Sequence, residues 1–352
     1  MEQLWSGEGR GAMGITRRLS LFAAIALGAS TAPAFAQQMT AVTQLGWLRN
    51  GEYAPIMIAE AKGFFKEEGI DHKIVDGGPG KNPIPIVAVG QAQFGLATNG
   101  MSVVTARLAK DPVDVVAVGT LFQQAPTAYL SLAAPGAPPS KPKDMEGKTV
   151  GTQAGTEFLF RAFAKKNGID DSKVKLVTAQ ATLEPLLVGK MDYFLGWIVN
   201  QTYQIEQEAA KPDAPPTVKG KTWQALKLAD FGVQTYTDVI FTSGDTLKKN
   251  PELVKHYLRA VQKGMQFEID HPDEAVEILA KFPNQTEDAK KLAWRFKIQN
   301  PLFQSDYSKA NGPLTMDPAV WTAMIGFLKD GDQIPKTIPA SEVATNEFFT
   351  KK

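Results

Sequence analysis

The chain has 352 residues, 43% hydrophobic and 21% charged, enough for two domains with separate cores. Its 38 Lys and Arg nearly balance its 37 Asp and Glu, so nothing points to a nucleic-acid surface or an acidic tail. With no cysteine, it has no disulfides, zinc–thiolate sites, iron–sulfur clusters or cysteine nucleophile.

The N-terminus carries Arg17-Arg18, an apolar run from Leu19 to Leu27, and the small-x-small triplet Ala34-Phe35-Ala36. These are the charged, apolar and cleavage regions of a secretory signal, and the run is too short to span a bilayer. Residues 1–36 are expected to be removed on export, leaving a periplasmic chain from near Gln37 without a lipid anchor, which would need a cysteine. Thr16-Arg17-Arg18-Leu19 loosely resembles a twin-arginine signal, so the export route stays open. Met13 competes with Met1 as the start, because residues 1–12 are unlike a charged leader.

Along the mature chain, β-rich runs alternate with helix-like segments. Residues 42–47, 73–76, 94–98 and 113–122 read as strands, and 55–65 and 83–89 as helices, with Pro55 and Pro83 in first turns where the missing N–H costs nothing. The alternation predicts a mostly parallel sheet covered by helices. After a proline-rich break at 135–142 it recurs: strands at 149–152, 174–178 and 193–197, helices at 157–167 and 183–188.

The two halves also echo each other. Gly69-Ile70-Asp71, Pro85-Ile86-Val87 and Phe94-Gly95-Leu96 in the first correspond to Gly168-Ile169-Asp170, Pro185-Leu186-Leu187 and Tyr193-Phe194-Leu195-Gly196 in the second. Two lobes with the same βαβ order follow. Ligands of such open sheets sit beyond the carboxyl ends of the strands, so Thr98 and Asn99 are expected to face Trp197 and Asn200 across a cleft. From residue 246 the pattern turns helical: 253–267, 273–281, 287–299 and 318–328 are predicted helices of a C-terminal tail. His72, His256 and His271 sit among polar neighbours and read as solvated surface residues.

The segment running from Trp47-Leu48-Arg49-Asn50 through Tyr53-Ala54-Pro55 to Ala61-Lys62-Gly63-Phe64-Phe65-Lys66-Glu67-Glu68-Gly69-Ile70 resembles the opening of ABC substrate-binding proteins of the nitrate, sulfonate/taurine and thiamine-pyrimidine group. Val89-Gly90-Gln91-Ala92-Gln93-Phe94-Gly95 and Leu186-Leu187-Val188-Gly189-Lys190-Met191-Asp192 share the resemblance. It implies the periplasmic-binding-protein type II fold: two lobes joined by two strand crossings, one lobe residues 38–124 plus 240–352, the other 125–239. It also implies a small-molecule ligand, an ABC permease with its ATPase as partners, a monomer peripheral to the membrane, and no cofactor or metal. Trp47-x-x-Asn50 followed by an aromatic, and the loop Gly77-Gly78-Pro79-Gly80-Lys81-Asn82-Pro83, look closest to the branch that binds thiamine pyrimidine precursors or related flat rings. That branch has enzymatic relatives, pyrimidine synthases with a lysine-bound pyridoxal phosphate, a nearby histidine and a cysteine-rich loop. Here Ala97 stands near the lysine position, Met101 near the histidine, and Gln234-Thr235-Tyr236-Thr237 replaces the cysteine-rich stretch, so neither the Schiff-base amine nor iron ligands are present.

Each candidate site residue has a structural rival. Trp47 and Tyr53 can stack on a planar ligand or fill the core. Asn50 suits a heterocycle edge or a turn before Gly51. Gly78 and Asn82 sit where a loop feeds a helix start that could hold an anion or a carbonyl oxygen, or simply cap the helix. Gln153 and Thr156, beside Thr152, occupy the matching junction of the second half, and helix capping explains Thr156 equally. Trp197 is the second-half stacking candidate, with Asn200 beside it. Gln123 falls at a crossing, as ligand contact or hinge lining. Asp238 falls near the return crossing, where a buried carboxylate would accept from a ring amino group and an exposed one would form a salt bridge. The expected function is capture of a flat heterocycle for an importer. The alternatives are the same machine for a small oxyanion (alkanesulfonate, taurine or nitrate), a pyrimidine-synthase-like enzyme, and a periplasmic sensor.

Overall fold

A computed structural model describes residues 38–179 and 182–349; the expected leader lies outside the described residues. β1 (Met39–Gln44) leads through a 3-10 turn at Gly51–Tyr53 into α1 (Ala54–Ala61) and α2 (Phe64–Glu67). Then come β2 (Ile70–Val75), α3 (Pro83–Ala88), β3 (Phe94–Ala97), α4 (Met101–Arg107) and β4 (Val115–Phe122). Residues 123–126 cross to β5 (Thr127–Ala133), followed by β6 (Thr149–Gln153), α5 (Glu157–Asn167), β7 (Lys175–Ala179), α6 (Glu184–Leu187), β8 (Tyr193–Trp197), α7 (Gln201–Ala209) and β9 (Thr222–Lys227). Residues 228–236 return to β10 (Thr237–Ser243), and α8 (Gly244–Lys249), α9 (Pro251–Asp270), α10 (Pro272–Ala280), α11 (Ala289–Gln299), α12 (Asp306–Asn311) and α13 (Pro318–Asp330) complete the chain.

The strands form two five-stranded sheets, ordered β2-β1-β3-β10-β4 and β7-β6-β8-β5-β9. In each, the fourth strand, β10 or β5, runs antiparallel to its neighbours and the others are parallel. Replacing β1, β2, β3, β4 and β10 by β6, β7, β8, β9 and β5 turns one order into the other, so the repeated motifs mark one topology built twice. Each antiparallel strand enters its sheet straight from a crossing. The crossings are tied together: Gln123 and Gln124 N–H donate to Leu302 O at 2.9 and 3.1 Å, and Gln234 Nε2 donates to Gln123 O at 3.4 Å. At the outer edge of the first sheet, β4 is covered by the C-terminal segment, with Ala117 N–H donating to Val343 O and Thr345 N–H to Ala117 O.

Local chemistry sets the element ends. Asn82, Asp288 and Asp317 accept from the first-turn N–H groups of Ile84, Lys291 and Ala319, capping α3, α11 and α13. α1 and α9 pack so closely that a Cβ on Gly264 would stand 2.0 Å from Pro55 O, which makes glycine obligatory there.

The structure departs from the expected boundaries in places. The first strand begins at Met39 and ends at Gln44, because the chain through Trp47 leaves β1 to take the Gly77 N–H at its carbonyl. The helix expected over 55–65 breaks at Gly63, which takes φ +76°. β5, β9, β10, α4, α7, α8 and α12 were not foreseen. His72 is the clear correction: it sits on the inward face of β2 alternating with exposed Asp71 and Lys73, 7% exposed, stacked on Phe65 at 3.8 Å. Its Nδ1 bonds Glu60 at 2.5 Å and its Nε2 bonds Thr43 at 2.8 Å, and burial holds its pKa below the ordinary value. The alternation of β2, with Ile70 also buried, was the overlooked signal.

Candidate ligand site between the two sheets

A cavity of about 140 Å³ lies between the two sheets. Thr98 and Asn99 reach it from the carboxyl end of β3, Met101 from the start of α4 and Thr237 from the start of β10. Opposite them stand Gln153 from the end of β6, Thr156 and Leu159 from the start of α5, and Leu195 and Trp197 from β8. Thr127, Leu228 and Thr235 close the side formed by the crossings. Parallel strands that end at a crevice, where the strand order reverses, place side chains this way.

The wall has one large aromatic surface and a set of neutral donors and acceptors. Trp197 stands edge-on to Phe122 at 6.5 Å, and its backbone N–H is held by Gln201 Oε1 at 2.9 Å. Five threonines line the cavity, and among the described lining residues none is Asp, Glu, Lys, Arg or His. Asn99 Oδ1 accepts from Met101 N–H at 3.0 Å, which fixes its amide. Thr156 Oγ1 lies 2.8 Å from both Thr152 Oγ1 and Gln153 O.

The structure therefore gathers Thr98, Asn99, Gln153, Thr156 and Trp197 on one cavity, all named from strand-end positions. The other candidates lie outside its lining. Trp47 is 38% exposed just past β1. Asn50 caps the Gly51–Tyr53 turn by accepting from Glu52 N–H at 2.9 Å, Asn82 caps α3, and Gly78 is a buried loop position with φ 149°. Gln123 is buried at the crossing, donating to Thr315 O at 2.8 Å and accepting from Ser305 Oγ at 3.0 Å. Asn200 accepts from Lys291 Nζ at 3.0 Å. Met101, Thr127, Leu159, Leu195, Leu228, Thr235 and Thr237 were not foreseen. The alternation of Thr235 and Thr237 next to a crossing, and Leu159 one turn after Thr156, were the available signals.

Behind the first-sheet wall lies a buried polar cluster. Asp238, at the start of β10, is fully buried at φ 48°, and among the described residues neither carboxyl oxygen has a hydrogen-bond partner. Burial, reinforced by Glu52 and opposed by Arg295, pushes its pKa well above the carboxylate range. Burial, with Asp238 next, raises the pKa of the buried Tyr53. Arg295 is wholly enclosed. It donates to both oxygens of Glu287, at 2.9 and 2.5 Å, and to Glu52 at 3.1 Å. Gly51 N–H donates to Glu287 at 3.0 Å, and a Cβ on Gly51 would meet Arg295 Cδ at 2.7 Å. Burial works against Glu287's charge, but Arg295 and Lys291 prevail and hold its pKa below the ordinary value. Glu268, bonded to Gln299 at 2.8 Å, is pushed up to about 8 by burial. Among the described residues no group of three or more His, Asp and Glu could hold a metal ion, and no helix is long and apolar enough to cross a membrane.

Relatives fall on both sides of the divide between binding and catalysis. A 4-amino-5-hydroxymethyl-2-methylpyrimidine phosphate synthase of Legionella pneumophila is 26% identical, over 87% of this chain and 90% of that protein. The riboflavin-binding protein RibY of Chloroflexus aurantiacus is 25% identical over 89% and 86%. The formylaminopyrimidine-binding protein of Halalkalibacterium halodurans is 25% identical over 86% and 88%. The fold matches the periplasmic aliphatic sulphonate-binding protein SsuA of Escherichia coli with a TM-score of 0.65, at 14% identity over 89% of this chain and 93% of SsuA. The chain thus has the two-lobed periplasmic-binding-protein architecture, the solute-binding fold of ABC importers. The NMT1/THI5-like family model matches residues 50–275, and the chain belongs to that family.

Proposed function

We propose that the chain is the exported solute-binding protein of an ABC importer, a monomer that closes on a flat, neutral heterocycle and hands it to a permease. The observation that carries this is the cavity itself: Trp197 offers a stacking face, Thr98, Asn99, Gln153 and Thr156 offer neutral hydrogen bonds, and no charged side chain lines it. The halves that close are residues 38–124 with 240–352, and 125–239. Two relatives named for binding riboflavin and formylaminopyrimidine support a ring compound as cargo. The leader-like stretch Arg17 to Ala36 supports export. A role in capture rather than reaction is supported by Ala97 and Met101 and by the want of any lysine or histidine in the described cavity lining, where a Schiff base or proton transfer would need one. Asp238 follows cavity-lining Thr237 in the chain but is fully buried behind the wall, so the expected contact with a ring amino group is not part of this reading.

One observation favours a second reading: five threonine hydroxyls in the lining could also surround a small oxyanion. Thermal unfolding of the mature chain with riboflavin, thiamine, formylaminopyrimidine, an alkanesulfonate, taurine and nitrate separates the two. A compound that binds only the folded chain adds about 2.7 kcal/mol at a hundredfold excess over Kd. Stabilisation by a ring compound, abolished by Trp197→Ala with the apo protein still folded, is expected. Stabilisation by the anions alone would replace the ring reading with the oxyanion one.

A further inference from the structure

Lys291 stands where the two halves meet on the α11 side. Its Nζ donates to Glu287 Oε1 at 2.8 Å, within the first half, and to Asn200 Oδ1 at 3.0 Å, in the second. It also lies over the Tyr203 ring, 5.9 Å from the centroid, and Trp294 meets the same ring at 5.0 Å. Asn200 N–H donates to Trp197 O at 3.1 Å. A continuous path therefore runs from Gly51 through Glu287, Lys291 and Asn200 to Trp197. The Lys291 side chain is 22% exposed and Glu287's 4%, so the ammonium is largely withdrawn from water on a fixed counter-charge. Among the described residues the ion pair that does cross between the halves, Lys165 with Asp330, is 4.0 Å long with side chains 83% and 72% exposed, a geometry that contributes little.

We infer that Lys291 is a positioning residue: anchored by Glu287, it captures Asn200 and so sets the Trp197 wall of the cavity against the first half. Glu287 orients the ammonium before the halves meet, and the Tyr203 face adds a second attraction from the α7 side. This rests on the proposal that the halves close, but it makes no use of which compound they close on.

The experiment uses no ligand. The chain has no cysteine, so Lys81→Cys and Ala154→Cys, exposed positions on loops after β2 and β6, give two unique spin-label sites. The expected interlabel distance distribution has a short population in the parent, reduced about tenfold by Lys291→Met, the size set by one charge-assisted hydrogen bond. Asn200→Leu, which leaves every charge in place, is expected to do the same, and the double variant no more than either alone. Lys291→Arg keeps the short population. A parent with no short population, a distribution unmoved by Lys291→Met, or additive losses in the double variant would each overturn the inference. If Lys291→Met does not fold, Asn200→Leu carries the test. Failure of every ring compound to stabilise the chain would sink the proposed cargo and leave this distance measurement untouched.

Discussion

Behind the first-sheet side of the cavity lie Glu52, Asp238, Glu268, Glu287 and Arg295, all buried and all ionisable. Behind the second-sheet side lie Thr152, Phe194, Val199 and Thr202, buried and uncharged. Both sheets have the same strand order, so the difference is not one of fold. The C-terminal segment supplies three of the five, since Arg295, Glu287 and Glu268 come from residues after β10, while Glu52 lies in the turn before α1 and Asp238 in β10. A buried cation held by carboxylates resists displacement, because moving one partner leaves an uncompensated buried charge. The first side is thereby a fixed anchor for the loop that carries Tyr53, and the second is a neutral wall that can be revised residue by residue.

The sharpest way to break this contrast is Arg295→Met. It leaves Glu52 buried without its cation and Glu287 with Lys291 alone, and a loss of about 3–5 kcal/mol is expected in urea unfolding. A loss below about 1 kcal/mol would mean that the cluster anchors nothing.

Glu268→Gln probes the same anchor through pH. The folded chain keeps the Glu268 proton up to about 8, whereas an ordinary glutamate releases it near 4.5. Between those values the folded state binds more protons than the unfolded one, so this group makes stability fall as pH rises, at up to about 1.4 kcal/mol per pH unit. Below that window, and again above it, its contribution is flat. Glu268→Gln should flatten the fall and leave the variant more stable than the parent at pH 8. A parent and variant with parallel pH–stability curves would show that Glu268 is ionised when folded.

The two sides also differ in how far the sequence discloses them. Thr98, Asn99, Gln153, Thr156 and Trp197 follow strand ends in a repeated βαβ pattern, and both the repeat and the strand ends are local features. The anchor is not local. Arg295 meets Glu52 from 243 residues away, and Gln299 reaches Gly51 from 248. No periodicity links such positions; a charged residue on an amphipathic helix looks the same whether water or a carboxylate receives it. β5 and β10 escaped notice for a related reason. They are the strands that enter one sheet from the other, so their neighbours in space are set by the crossings and not by the alternation around them. Asn50 and Asn82 show the reverse case: their chemistry suits a ligand, but the backbone N–H two residues on is nearer and takes the oxygen.

Thr156→Ala should have the smallest effect on stability and the most informative one on binding. The Thr156 hydroxyl lies within hydrogen-bonding distance of Thr152 Oγ1 and Gln153 O, and neither is a charge. Thr152 keeps its own rotatable hydroxyl, and the exposed Gln153 end of β6 has water at hand. A change within about 0.5 kcal/mol is expected on unfolding, as for surface substitutions generally. Because Thr156 lines the cavity, the same variant should weaken a ligand that accepts its hydroxyl by about tenfold or less, one hydrogen bond's net contribution. If stability fell by about 2 kcal/mol or more, well beyond that surface range, the second wall would be no freer to change than the first. The asymmetry would then end, because a wall that cannot lose one hydroxyl without cost could not be remodelled for a different ligand while the anchor beneath Tyr53 stayed unchanged.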